Sequence, residues 1–343
     1  MLSRTASSNS SNSSSDPTAQ KGAMTDSEVL LQQLITGLSN GMIIALIALG
    51  YTMVYGIVEL INFAHGDLFM LGAFLALTLV GMLGLPELAT TPLGSIGAVA
   101  TLFIAAPIFC ATLNWTVDRF AYRPLRNAPR LAPLVSAIGV SFVFLNIGLF
   151  WGGLPLEVFN MGNAAASPKD FPPLLPEDNL LGDSLIQFTL RDLLVFIITI
   201  PMMGALTWFV KGTKMGQAMR AVAQNQTAAQ LMGINIDRTI GLTFIVGGAL
   251  AGVASVMYAL YNGSIFFQMG YRVGIDAFTA AVLGGIGSLP GALLGGLLIG
   301  VVRALSDQYL ATSWTNVVVF TLLIVFLVFR PSGLLGKSVR EKV

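Results

Sequence analysis

Charge is what this sequence has least of. Only 10% of its 343 residues are Asp, Glu, Lys or Arg, against 55% hydrophobic, and mean hydropathy is +0.77. A soluble globule carries roughly 25% charged residues, because its surface must be solvated. A water-soluble fold of this size is excluded. Histidine and cysteine are nearly absent, with one of each, His65 and Cys110. A single cysteine allows no internal disulfide framework, and one histidine with one cysteine allows no His/Cys metal cluster. No nucleophile–base pair stands out either, so neither a catalytic residue, a metal nor a cofactor is expected. A net charge of +1 leaves no nucleic-acid footprint.

What the chain has in abundance is uncharged apolar sequence. Uncharged stretches run 29–58, 68–86, 88–117, 131–156, 193–210, 239–271, 277–302 and 308–329. Each approaches or exceeds the ~18–20 residues that cross a bilayer core. The prediction is an all-α polytopic membrane protein of about eight transmembrane helices, spanning 28–336. Residues 1–27 form a Ser/Asn-rich tail too polar to bury a core, and are expected to be disordered. They lack the apolar core of a signal peptide, and Met24 is a plausible later start. Residues 337–343 form a short polar tail.

Basic residues orient the chain. Arg119, Arg123, Arg126 and Arg130 share one connection; Lys211, Lys214, Arg220 and Arg238 share another; Arg330, Lys337, Arg340 and Lys342 lie near the C-terminus. Together they are 12 of the 18 Lys and Arg, which places these segments, C-terminus included, in the cytoplasm. Residues 157–192 hold six carboxylates against two cations, and read as an external loop. Between Arg238 and Arg330 the chain must then cross an even number of times, yet only three long apolar runs are visible. The exception is 277–302, where Gly284, Gly285, Gly287, Gly291, Gly295, Gly296 and Gly300 surround Pro290. Glycine so dense around a proline disfavours a continuous helix. We predict broken helices or a re-entrant segment, tolerated at membrane depth when buried in protein or lining a cavity.

Glu59, Asn62, His65, Gly66 and Asp67 interrupt the apolar pattern at the corresponding place in the first half. If that stretch crosses once the N-terminus is external; if it is broken the N-terminus is cytoplasmic. Paired broken helices point to a transport pathway, which makes Glu59, Asn62, His65, Asp67, Gly284, Gly285 and Gly287 its candidate residues. Ionisable groups at this depth are costly and default to a functional role. The plainer expectation is that Asn62 and Asp67 cap the helix break, and that Asp276 and Arg272 sit in boundary water. Small-residue pairs Gly37–Gly41, Gly248–Gly252, Gly291–Gly295 and Gly296–Gly300 predict close helix packing.

Two cytoplasmic motifs remain. Residues 331–338 come close to a phosphate-binding loop, but Pro331 replaces its first glycine and no strand precedes it. That reading is rejected, so any ATP chemistry belongs to another subunit. The 211–238 connection is longer than a turn, and 215–232 reads as one amphipathic helix ending at Gly233. Such a helix lies on membrane lipid or docks into a partner's groove.

Within it, Thr227 to Gly233 resembles the Glu-Ala-Ala-x-x-x-Gly element of ABC-importer permeases. Thr227 replaces the leading glutamate, while Ala228, Ala229 and Gly233 match. The wider chain resembles permeases of branched-chain amino acid ABC importers, in GYTMVYGIVELINFAHGDLFMLGAF (50–74), DRFAYRPLRNAPRL (118–131), MGQAMRAVAQN (215–225), LMGINIDR (231–238) and DAFTAAVLGGIGSLPGALLGGLLIG (276–300). The resemblance implies a bacterial inner-membrane permease that moves neutral amino acids by alternating access. It implies a second homologous permease, two ABC ATPase subunits and a periplasmic solute-binding protein as partners. Met215, Gly216, Arg220, Ala228, Ala229 and Gly233 become the expected ATPase-coupling residues. Urea and short amides are the alternative cargo of a close branch. An ion-coupled secondary transporter is the alternative mechanism, with His65 beside Glu59 or Asp67 as its proton site.

Overall fold

The computed structural model describes residues 25–58, 62–126, 128–129, 131–182 and 184–336. Glu59, residues 1–24 and residues 337–343 lie outside the described residues. The helices are α1 (Asp26–Val58), α2 (Ala64–Met82), α3 (Leu85–Leu88), α4 (Pro92–Val117), α5 (Leu131–Gly152), α6 (Leu190–Gly212), α7 (Lys214–Gln224), α8 (Gln226–Leu231), α9 (Ile236–Asn262), α10 (Met269–Gly284), α11 (Leu289–Tyr309) and α12 (Thr315–Phe329). A π-turn at Asp118–Tyr122 and a 3-10 turn at Arg123–Leu125 prolong α4. Seven helices are long and apolar enough to cross a membrane: α1, α2, α4, α5, α6, α9 and α11. The 15-residue α12 is a shorter apolar helix. The chain is an all-α polytopic membrane protein, as its uncharged runs predict.

α1 is the central post. Every residue from Gly41 to Val54 is buried, as expected of a helix that is apolar all round. It packs antiparallel on α11 through small residues. A side chain at Gly41 would stand 2.9 Å from the Leu297 Cα, and one at Gly296 would stand 2.7 Å from the Ala45 Cα. Backbones come this close only where a Cβ is missing or small. α4 meets α9 the same way, with Gly248 against Ala111 and Gly252 against Pro107. The outer helices turn large apolar side chains outward, among them Ile104 and Ile108 on α4, Phe142 and Phe150 on α5, and Phe329 on α12.

The bundle has an acidic end and a basic end. At the acidic end the Gln32 amide donates to the Gln187 carbonyl at 3.2 Å, and the Ser39 hydroxyl donates to Asp192 at 2.7 Å. Strand β1 (Lys169–Asp170) pairs antiparallel with β2 (Ser264–Ile265), which holds the end of α9 against the 153–189 loop. The start of α1 therefore lies beside the acidic loop, so α2 makes a single crossing. At the basic end Arg126 bridges Asp118 and Asp237, each at 2.5 Å, and Arg123 also pairs with Asp237.

The glycine-rich run 277–302 is indeed broken. α10 stops at Gly284, and α11 begins at Leu289 with Pro290 in its first turn. Between them Gly285 and Gly287 adopt φ of +100° and +86°, a region that L side chains rarely enter. Of the four elements α9 to α12, α9 and α11 are long and apolar enough to cross a membrane. One expectation fails: 215–232 is two helices. Asn225, at φ −162° and ψ 108°, ends α7, and its side chain accepts the Ala228 amide at 2.9 Å to start α8. An asparagine that caps its own downstream turn outweighs the helix formers around it.

Candidate functional site

The interrupted segment of the first half packs inside the bundle against the start of α10, ahead of the glycine-rich break. The first turn of α2 lies against the first turn of α10, where a side chain on Gly270 would stand 2.8 Å from the Asp67 Cα. His65 is wholly buried with its ring edge-on to Tyr51, centroids 4.7 Å apart. The Ser141 hydroxyl of α5 donates to Asp67 Oδ2. Asp67 Oδ1 and both His65 ring nitrogens have no hydrogen-bond partner among the described residues.

The capping expectation is not met. Phe63 stands at the N-cap of α2 with no side-chain cap bond. The Asn62 side-chain Oδ1 instead accepts from the Tyr122 hydroxyl at 2.7 Å. Asn62 thus ties the break to the α4 extension, and α2 takes its entry angle from tertiary contacts. Asp276 also departs from expectation. It is buried, and Arg303 of α11 pairs with it at 3.2 Å.

Gly284, Gly285 and Gly287 lie towards the basic end, away from His65 and Asp67. Residues 331–336 fold over them: the Leu334 amide donates to the Leu283 carbonyl at 2.8 Å and the Leu335 amide to the Gly284 carbonyl at 3.0 Å. Gly287 lines a cavity of about 550 Å³ bounded by α1, α6, α7 and the start of α11. The predicted pathway residues thus fall into two groups, with α1 between them. Gly56 of α1 touches the second group, at 3.3 Å from Gly287 for a Cβ built there.

The coupling residues are divided as well. Gly216 is buried against the last carbonyls of α6, Ala229 is buried under α8, and Arg220 stands at the cavity, where it donates to the Val210 carbonyl. Met215 is half-buried, so only Ala228 and Gly233 of the remaining set reach the outer surface. Gly233 turns the chain at φ +83° after α8. Beside it Leu231 and Met232 project into the open, 84% and 83% exposed. Sequence reasoning assigned these two to an apolar helix face, and missed that they form a knob at the basic end. It also missed Ser141 and Tyr122, which only the folded bundle brings to Asp67 and Asn62.

Comparison with known proteins places this architecture. The model of the branched-chain amino acid transport system permease component matches residues 33–328. The chain belongs to the branched-chain amino acid permease family. Among relatives of this permease, the high-affinity branched-chain amino acid transport system permease protein BraD of Pseudomonas aeruginosa is 43% identical over 319 residues, 91% of this chain and 98% of that one. The LivH permease of Escherichia coli K12 is 41% identical over 317 residues, with 91% and 97% covered. A probable branched-chain amino acid permease of Methanocaldococcus jannaschii is 28% identical, with 86% and 89% covered. No solved structure matches the chain. This permease is a multi-pass transport protein of the plasma membrane.

Proposed function

We propose that the chain is the membrane-spanning subunit of an ATP-driven importer of branched-chain amino acids, working by alternating access. The basic end and C-terminus face the cytoplasm, and the acidic loop and the start of α1 face the periplasm, following the distribution of Lys and Arg. A second homologous permease completes the pathway, two ATPase subunits sit under the basic end, and a periplasmic binding protein delivers cargo to the acidic loop. The observation that carries the reading is α8. In a family whose relatives are branched-chain amino acid permeases, this chain presents a short capped helix with two bare apolar side chains, Leu231 and Met232, at its basic end. A buried apolar anchor set in a partner's pocket is what makes a docking hot spot.

The test co-expresses the chain with its partner subunits and follows vanadate-sensitive uptake of labelled leucine, alanine, glutamate and urea. Leu231→Ser with Met232→Ser is expected to lose both leucine uptake and ATPase co-purification while the permease stays in the membrane. Preferred uptake of urea would move the cargo to amides. The unpartnered Asp67 oxygen and His65 nitrogens favour one other reading, a proton-coupled carrier. Uptake driven by a proton gradient without any ATPase would establish that alternative.

A further inference from the structure

The basic-end cavity collects hydrogen-bond donors that have no acceptor among the described residues. Helical threonines normally donate back to the carbonyl four residues earlier, and Thr78, Thr101, Thr112, Thr116 and Thr243 do so. Thr52 and Thr207 do not. Their hydroxyls are buried without a partner among the described residues, and both line this cavity. Thr52 is only 2% exposed. Thr199 and Thr279 share that state but do not line it.

The backbone adds to the set. The amides of Ile286, Gly287 and Leu289 donate to no backbone carbonyl among the described residues, and all three residues line the cavity. They precede or open α11, a 21-residue helix whose N-terminal dipole favours negative charge. At the rim stand Lys211 and Arg220, neither in an ion pair among the described residues. No carboxylate is among the described residues that line the space.

Free amides, hydroxyls able to donate, and two cations with no opposing anion among the described residues suit a ligand that accepts hydrogen bonds and carries negative charge. We infer that this cavity binds a phosphate group, supplied by the headgroup of an anionic phospholipid. An amino acid is disfavoured, because no carboxylate among the described residues lines the cavity to take its ammonium. The wall formed by Met53, Ile57, Val210 and Leu289 is apolar, which suits the glycerol and first methylenes of a lipid. Trp208 on α6 is 69% exposed one turn from Lys211, as in the aromatic belts that mark headgroup level. Basic pockets between transmembrane helices are where anionic headgroups are held. The site stands independently of the transported cargo.

The test uses the full chain in neutral detergent, stripped of lipid, with native mass spectrometry of added phosphatidylglycerol or phosphatidylethanolamine. A parallel arm adds inorganic phosphate alone. Phosphatidylglycerol is expected to bind preferentially, and Lys211→Gln and Arg220→Gln are each expected to weaken it about fivefold, the worth of one surface cation. Thr52→Val, nearly isosteric, is expected to weaken it without changing thermal stability. Lys214→Gln, outside the cavity, is expected to leave it unchanged. Displacement of the lipid by inorganic phosphate would keep the phosphate site and overturn the lipid source. Equal binding of both lipids, unaffected by Thr52→Val or by loss of the two cations, would overturn the site itself.

Discussion

Gly296 and Asp67 show two ways in which a single residue decides this bundle. At Gly296 the missing side chain is the feature, since any Cβ would strike the Ala45 backbone. Gly296→Val is expected to push α1 from α11 and cost about 1–3 kcal/mol, as overpacking does. A lowered melting temperature of the detergent-purified protein would register it; an unchanged one would refute the close contact. Asp67 is the converse case, a carboxylate buried with Ser141 as its hydrogen-bond donor. Asp67→Asn keeps an acceptor for Ser141 and removes a buried carboxyl that has no cationic partner among the described residues, so stability is expected to hold or rise. Asp67→Ala strands the hydroxyl and is expected to cost about 1 kcal/mol. Both are read by thermal melting. Glycine spacing and the intramembrane carboxylate were visible in the sequence. The identity of their contacts was not, because Ala45 lies 251 positions before Gly296 and Ser141 lies 74 after Asp67.

At the scale of the element, α8 and the acidic loop hold together by local devices. A six-residue helix is too short to persist alone, so α8 depends on its Asn225 cap. Asn225→Ala is expected to cost about 1 kcal/mol locally. Hydrogen exchange should then quicken at 226–233 while the global melting point stays put. In the acidic loop, Lys169 is buried and its ammonium donates to the carbonyls of Phe159, Asn163 and Ala164 at 3.1–3.2 Å. These carbonyls surround a turn in which Asn160, Met161 and Ala164 all have positive φ. Burial lowers the Lys169 ammonium from the ordinary value of 10.5. The folded loop then binds that proton less tightly than the unfolded chain, so its stability rises with pH. The gain begins as pH passes the lowered value and is complete above 10.5. Limited proteolysis of the loop should slow across that alkaline window. Lys169→Met should abolish the pH effect and speed cleavage at every pH, because three carbonyls lose their donor.

For the whole molecule the sharpest expectation is sidedness. The start of α1 and the acidic loop share one end, and α8 lies at the other. Cys110, the one native cysteine, is buried, so background labelling should be low. Gln32→Cys and Asp178→Cys are expected to react with an impermeant maleimide from outside intact cells, and Met232→Cys only after the membrane is opened. Labelling of Gln32→Cys and Asp178→Cys from opposite sides would contradict the fold; all three reversed would invert the orientation alone.

Composition and charge spacing by themselves determined that this is a polytopic helical membrane protein, roughly how many helices it has, and that the glycine-rich second half is broken. These properties follow from bilayer thickness and backbone hydrogen bonding, which act locally along the chain. Which residues face one another was decided only by tertiary structure. It set the first interrupted segment against the start of α10 at Gly66 and Gly270, apart from the glycine-rich break, drew Asn62 to Tyr122 instead of to a cap, split the amphipathic connection at Asn225, and enclosed Thr52 and Thr207 beside the Gly287 turn. A glycine or a threonine reads the same in sequence wherever it lies. Its role is set by what stands opposite, and in a bundle that neighbour comes from a distant helix.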